Sequence, residues 1–137
     1  MTKRDRKALG KYVRWIADRM GLRDWHFLLD HEPPEQDEAW ASIFPTYGQR
    51  RAVIHFAVDT RDRPTDTLRR IVVHELMHCH HDRMDGVYRT AAEQMGQQAR
   101  LVSMESWRST LENATDDIAS AWAESFPLIE WPGASRA

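Results

Sequence analysis

The chain has 137 residues, of which 42% are hydrophobic, so it can form one core and is too short for two; we expect a single domain over residues 1–137. Its net charge of −2, with 29% charged residues, gives no strong preference for nucleic acid or for an anionic membrane. No stretch approaches the roughly 18 apolar residues of a membrane span, and the single cysteine, Cys79, cannot form an intramolecular disulfide, which suits a reducing compartment.

The first predicted element is a helix over about residues 4–20. Its apolar residues recur at helical spacing, and Gly21 follows as a typical helix end. No apolar core of a signal peptide precedes this helix, so we expect a cytoplasmic protein. Three short runs of strand character come next, separated by a loop with two prolines and by a hairpin-like interval: residues 25–29, 39–44 and 51–58.

A second helix is predicted from Thr65, directly after Pro64, because apolar residues recur at helical spacing and neither Gly nor Pro interrupts the chain before Gly86. Gly86 and Tyr88 are placed in a polar connection. For residues 83–98 the sequence does not distinguish a partly helical segment from a disordered one. His80 and His81 are interpreted as a solvated pair or as charge partners of the helix end, although one of them could assist in stabilising an oxyanion.

A last helix is predicted up to Phe126, and Pro127 begins a short C-terminal tail. The order of elements predicts an α+β fold, in which a three-stranded or slightly larger sheet, antiparallel or mixed, is covered by helices on one face. The last helix carries an approximate apolar stripe: Leu101, Met104, Leu111, Thr115, Ile118, Trp122 and Phe126.

The second predicted helix contains the motif HExxH, in which His74 and His78 are separated by one helical turn. Residues four apart lie on one face, about 6 Å apart in rise, so both imidazoles can reach one metal ion. Glu75 is offset by one position and can face a water beside the metal. Two neutral nitrogen ligands with an adjacent carboxylate are what a catalytic zinc site requires.

A third protein ligand is still needed. The metzincin pattern would place Gly and His at the positions that hold His81 and Met84, so that pattern is excluded. A carboxylate on the last helix is the alternative, and Glu112 with Asp116 one turn later would supply a metal ligand and a hydrogen-bond acceptor for a ligating histidine. Glu105 and Asp82 remain competing candidates for the third ligand.

With HExxH followed by ExxxD, the sequence resembles the gluzincins, the thermolysin-like metallopeptidases. Its short length and element order resemble those of the minigluzincins encoded by phages and some prokaryotes. If the chain is encoded by a phage, the expected cytoplasm is that of the host cell. The resemblance implies a minimal zincin fold and one Zn²⁺ per chain on His74, His78 and Glu112. It also implies Glu75 as general base and Asp116 as the hydrogen-bond partner of a ligand.

The function that this resemblance implies is a zinc-dependent endopeptidase acting on a protein or peptide substrate. An edge strand would bind the extended peptide, and the candidate is Ala39, Trp40, Ala41, Ser42 and Ile43. Tyr88 is a candidate for stabilising the oxyanion. Two alternatives are a zincin-like regulatory module that acts on one protein partner and a nucleic-acid-associated protease of the SprT-like group, which a single cysteine disfavours. The sequence does not indicate the oligomeric state.

Overall fold

A computed structural model describes residues 1–36 and 38–133 of the chain, and within this part it has an α+β fold with three α-helices and a three-stranded mixed sheet. The strands lie in the order β1-β3-β2, with β1 parallel and β2 antiparallel to β3. The elements in chain order are α1 (Lys3–Arg19), β1 (His26–Leu29), β2 (Ala41–Pro45), β3 (Arg51–Phe56), a 3₁₀ turn (Thr60–Asp62), α2 (Thr65–Ala92) and α3 (Gln97–Ala123).

The start of α1 is held by a capping box. Thr2 accepts a hydrogen bond from the Asp5 amide, and the Asp5 carboxylate accepts one from the Thr2 amide, so two helix-end donors are satisfied. Asp5 is buried and also pairs with Arg61, which ties α1 to the 3₁₀ turn. One apolar face of α1 is buried in the core: Leu9, Tyr12, Val13, Ile16 and Ala17.

The sheet contributes one face to this core. Along β3, Ala52, Ile54 and Phe56 are buried and alternate with more exposed residues, as expected for a strand with one covered face. Ala41 and Ile43 of β2 are buried beside them, and α2 packs against this strand. The predicted strand runs agree with the observed ones to within a few residues, and the strand of residues 39–44 shifts to Ala41–Pro45.

Helix α2 is longer than predicted. It continues through Gly86 and Tyr88 to Ala92, so the polar connection expected there is wrong. Gly86 is buried beneath the ring of Tyr47, and a Cβ at this position would lie 1.8 Å from the ring. The glycine therefore permits a close approach of the β2–β3 turn to the helix and does not end the helix.

Helix α3 packs along α2 through small residues. Thr115, Ala119 and Ala123 are its buried residues, whereas Leu101 and Ile118 of the predicted stripe are 63% and 41% exposed. The segment predicted as a tail folds back on the body, where Ile129 is buried. Carbonyls of this segment accept hydrogen bonds from Tyr12, Arg69 and Arg61.

None of the helices in the described ranges 1–36 and 38–133 is long and apolar enough to cross a membrane.

Candidate metal centre

The two histidines of the HExxH motif converge as predicted. Because α2 is regular here, His74 and His78 lie one turn apart on one face, and their Nε2 atoms are 3.2 Å apart. The rings are inclined at 72° with centroids 5.0 Å apart. Two nitrogen lone pairs therefore point toward one location beside the helix.

Glu112 of α3 completes a group of three ligand atoms. Its Oε2 lies 3.4 Å from His74 Nε2, and its Oε1 lies 3.6 Å from His78 Nε2. In a tetrahedral site with metal–ligand bonds of about 2.0–2.2 Å, as at zinc, ligand atoms are separated by about 3.3–3.6 Å. The two Glu112 distances, which involve different carboxylate oxygens, and the 3.2 Å between the histidine nitrogens are close to this range, and the group His74, His78 and Glu112 could hold a metal ion.

Asp116 lies behind His74. The imidazole donates from Nδ1 to the Asp116 carboxylate at 2.9 Å, which leaves Nε2 free to face the ligand group. A carboxylate on the outer nitrogen of a ligating histidine fixes its tautomer and ring orientation. Glu112 and Asp116 lie one turn apart on α3, so one helix face supplies both interactions.

The pKa values of the two histidines shift in opposite directions. Burial acts to lower the pKa of His74, but the hydrogen bond to Glu112 and the charges of Glu75 and Asp116 raise it overall. Burial, with the neighbouring His74, lowers the pKa of His78. A metal ion binds neutral imidazole nitrogens, so protons and a cation would compete for these groups.

Glu75 is the most enclosed carboxylate of the site, with 8% of its surface exposed. Burial raises its pKa to about 7, and the charge of Glu112 adds to the rise, while His74 and a hydrogen bond from the Ile43 backbone amide oppose it. A carboxylate with a pKa near neutrality is suited to accept and return a proton.

Glu75→Gln is expected to stabilise the metal-free protein above neutral pH. The folded pKa of Glu75, about 7, lies above the ordinary 4.5, so between these pH values the carboxyl ionises in the unfolded chain but stays protonated in the folded protein. The folded state then binds more protons than the unfolded state, and stability falls with increasing pH until the folded pKa is passed. The glutamine side chain does not ionise and keeps its stability as the pH rises. Above neutral pH, the unfolding free energy of Glu75→Gln should therefore exceed that of the natural protein by about 1–3 kcal/mol.

Urea unfolding of both chelator-treated proteins at about pH 5 and pH 8 measures this difference, since urea midpoints report stability when the slope is unchanged. A difference in unfolding free energy that is the same at both pH values would contradict the burial argument.

The free edge of β2 lies above Glu75. Two hydrogen bonds show which residues of β2 face β3. The Ala57 amide donates to the Trp40 carbonyl at 3.0 Å, and the Thr46 amide donates to the Arg51 carbonyl at 2.9 Å. The even-numbered residues of β2 are therefore the ones hydrogen-bonded to β3. The amides and carbonyls of Ala41 and Ile43 therefore point away from β3, and the Ile43 amide reaches Glu75.

This edge coincides with most of the predicted peptide-binding segment. Ala41, Ser42 and Ile43 belong to β2, while Ala39 and Trp40 precede it. The Arg63 guanidinium lies over the Trp40 ring, 3.9 Å from its centroid, and 38% of Trp40 remains exposed. No strand of the described part of the chain pairs with the other side of β2.

Three other candidates lie apart from the ligand group. Tyr88 is ten residues beyond His78 on α2, about 15 Å in rise, and its hydroxyl bonds to Ser103 at 2.5 Å. Glu105 lies two turns before Glu112 on α3, about 10 Å away in rise, and pairs with Arg108. Asp82 is not among the ligand atoms that converge.

His81 lies in a different environment from the one predicted. It is buried, not solvated as predicted, and its Nδ1 lies 3.3 Å from the Thr115 hydroxyl. Its place three residues after His78, on the same face of the helix as the motif, was the signal in the sequence that could have indicated this.

The sequence pattern also gave no indication of a cleft of about 370 Å³ between the α1–β1 turn, the β2–β3 turn and α2, away from the ligand group.

Comparisons with protein-family models, with curated proteins and with solved structures found no match to this chain.

Proposed function

We propose that the chain is a zinc-dependent metallopeptidase of the gluzincin type, with the layout of a minigluzincin. The observation that carries the proposal is the convergence of His74, His78 and Glu112 on one point. Two imidazoles and a carboxylate favour zinc among divalent ions and leave a coordination position for water or substrate.

The surroundings of the ligands support hydrolysis as the reaction. When bound, zinc would supply Lewis-acid activation of a water and of the scissile carbonyl. Glu75 lies next to His74 in the sequence and is nearly buried, so it can take the proton of that water and deliver it to the leaving amine.

The free edge of β2 supports a peptide as the substrate. The outward amides and carbonyls of Ala41 and Ile43 can pair with an extended chain, which would lie beside Glu75. Such pairing uses backbone groups, so it accepts varied side chains. We therefore expect an endopeptidase that cuts extended or unfolded segments, acting in the cytoplasm.

Cleavage of several unfolded proteins, followed by mass spectrometry of the fragments, tests this function. Hydrolysis should stop on treatment with a zinc chelator and return when zinc is added, because the ion is part of the site. Cleavage that continues without metal would overturn the proposal.

A zincin-like binding module is the second candidate, and the position of Tyr88 favours it. With Tyr88 about 15 Å along the helix from His78, the predicted oxyanion-stabilising group is not beside the ligands. A protein that binds zinc but cuts none of the unfolded substrates would support this module in place of a general peptidase.

A further inference from the structure

A buried polar contact joins α2 and α3 beside the metal centre. The His81 Nδ1 and Thr115 Oγ1 atoms are 3.3 Å apart, and the two residues are 9% and 0% exposed. The Thr115 hydroxyl donates its hydrogen to the Leu111 carbonyl at 2.8 Å, so the Nδ1–H of His81 is the donor to Thr115.

The contact is placed close to the ligands on both helices. His81 follows His78 by about one turn, and Thr115 follows Glu112 by about one turn and directly precedes Asp116. Thr115 is also the first buried residue of α3, since residues 97–114 of this described helix are all at least partly exposed.

The other buried residues of α3 give little directional control. Ala119 and Ala123 each present one methyl group to the body, and such contacts allow small slides and rotations of a helix. A hydrogen bond is restricted in both distance and angle, and in buried surroundings an unmade bond is costly.

Other hydrogen bonds between α2 and α3, such as His74–Asp116 and Tyr88–Ser103, involve more exposed side chains. From this arrangement we infer that the buried His81–Thr115 hydrogen bond is a positioning contact for the metal centre: it holds α3 so that Glu112 faces His74 and His78. Neither residue belongs to the ligand group. A slip of α3 by a single residue would move Glu112 by about 1.5 Å along the helix axis. Metal–ligand distances tolerate only about 0.2 Å, so even a fraction of that slip would weaken binding.

Zinc affinity of the full chain, measured by competition with a chromophoric chelator, tests the inference. Thr115→Val keeps the shape and removes the hydroxyl, so zinc affinity should fall about 10- to 100-fold, as for other partners behind metal ligands. Thr115→Ser keeps the hydroxyl and should bind within about threefold of the natural protein. The same exchange at exposed Thr110, Thr110→Val, is the matched control and should leave zinc affinity unchanged.

Circular dichroism of the metal-free proteins checks that each variant folds. If Thr115→Val does not fold, His81→Asn, which keeps a donor near Nδ1, is compared with His81→Leu, which removes it, and only the leucine variant should lose affinity.

The inference rests on the proposed metal centre, and the two can fail separately. A natural protein that binds no zinc would overturn both. Zinc binding in the natural protein that is unchanged in Thr115→Val, or lost equally in Thr115→Ser, would overturn the positioning role alone.

Discussion

Glu75→Gln is expected to reduce peptide hydrolysis by about 10³-fold while zinc binding stays close to that of the natural protein, because the amide keeps the size of the side chain and cannot accept the proton. Glu75 is not one of the three converging ligand atoms, so its replacement leaves the metal group intact. The measurement is the initial rate of fragment formation at equal zinc occupancy.

The matched control for this prediction is Glu105→Gln, the same exchange at an exposed carboxylate of α3 that pairs with Arg108. It should hydrolyse at the natural rate, which would also remove Glu105 as a candidate ligand. Retained hydrolysis in purified Glu75→Gln protein would remove the assigned role of Glu75 in the reaction.

Phe126→Ala is expected to destabilise the protein by about 3–5 kcal/mol, a large share of the stability of a single domain. The ring is 6% exposed and contacts Trp15 edge-on, with ring centroids 6.3 Å apart. Its carbonyl accepts a hydrogen bond from Arg69 at 2.8 Å, so the residue anchors the C-terminal segment against α2.

Urea unfolding measures this loss, and Leu128→Ala is the control because Leu128 is 46% exposed two residues later. The control should change the unfolding free energy by less than about 0.5 kcal/mol. A Phe126→Ala protein as stable as the control would show that the segment after α3 does not anchor the fold.

Local patterns predicted most of the fold. Apolar residues at helical spacing marked α1, and Pro64 before Thr65 marked the start of α2, because these signals depend only on neighbouring residues. The HExxH spacing also predicted the meeting of His74 and His78, which a single regular helix ensures.

The course of α2 beyond Asp85 could not be predicted in the same way. A glycine in a sequence commonly ends a helix, and nothing local shows that Gly86 lies under a distant ring. The contact with Tyr47 depends on where the β2–β3 turn crosses the helix. Tertiary packing therefore decided a position that local signals assigned to a connection.

The face of α3 was only partly predictable for a related reason. The predicted stripe included Thr115, which is buried, but it also included Leu101 and Ile118, which are exposed, and it left out Ala119 and Ala123, which are buried. Small residues let two helices approach closely, and their low hydrophobicity hides them from an apolar count. Glu112 was still predicted correctly as a member of the converging group, because its spacing to Asp116 placed both on one face.

The most direct test of the central claim is the zinc content per chain of protein purified without added zinc, determined by native mass spectrometry for the natural protein, His78→Ala and Glu112→Ala. A site built from His74, His78 and Glu112 predicts about one zinc in the natural protein and its loss or marked weakening in both variants, because each removes one of three protein ligands. Zinc retained in Glu112→Ala at natural affinity would contradict the assigned third ligand. A natural protein that binds no zinc would contradict the metal centre itself.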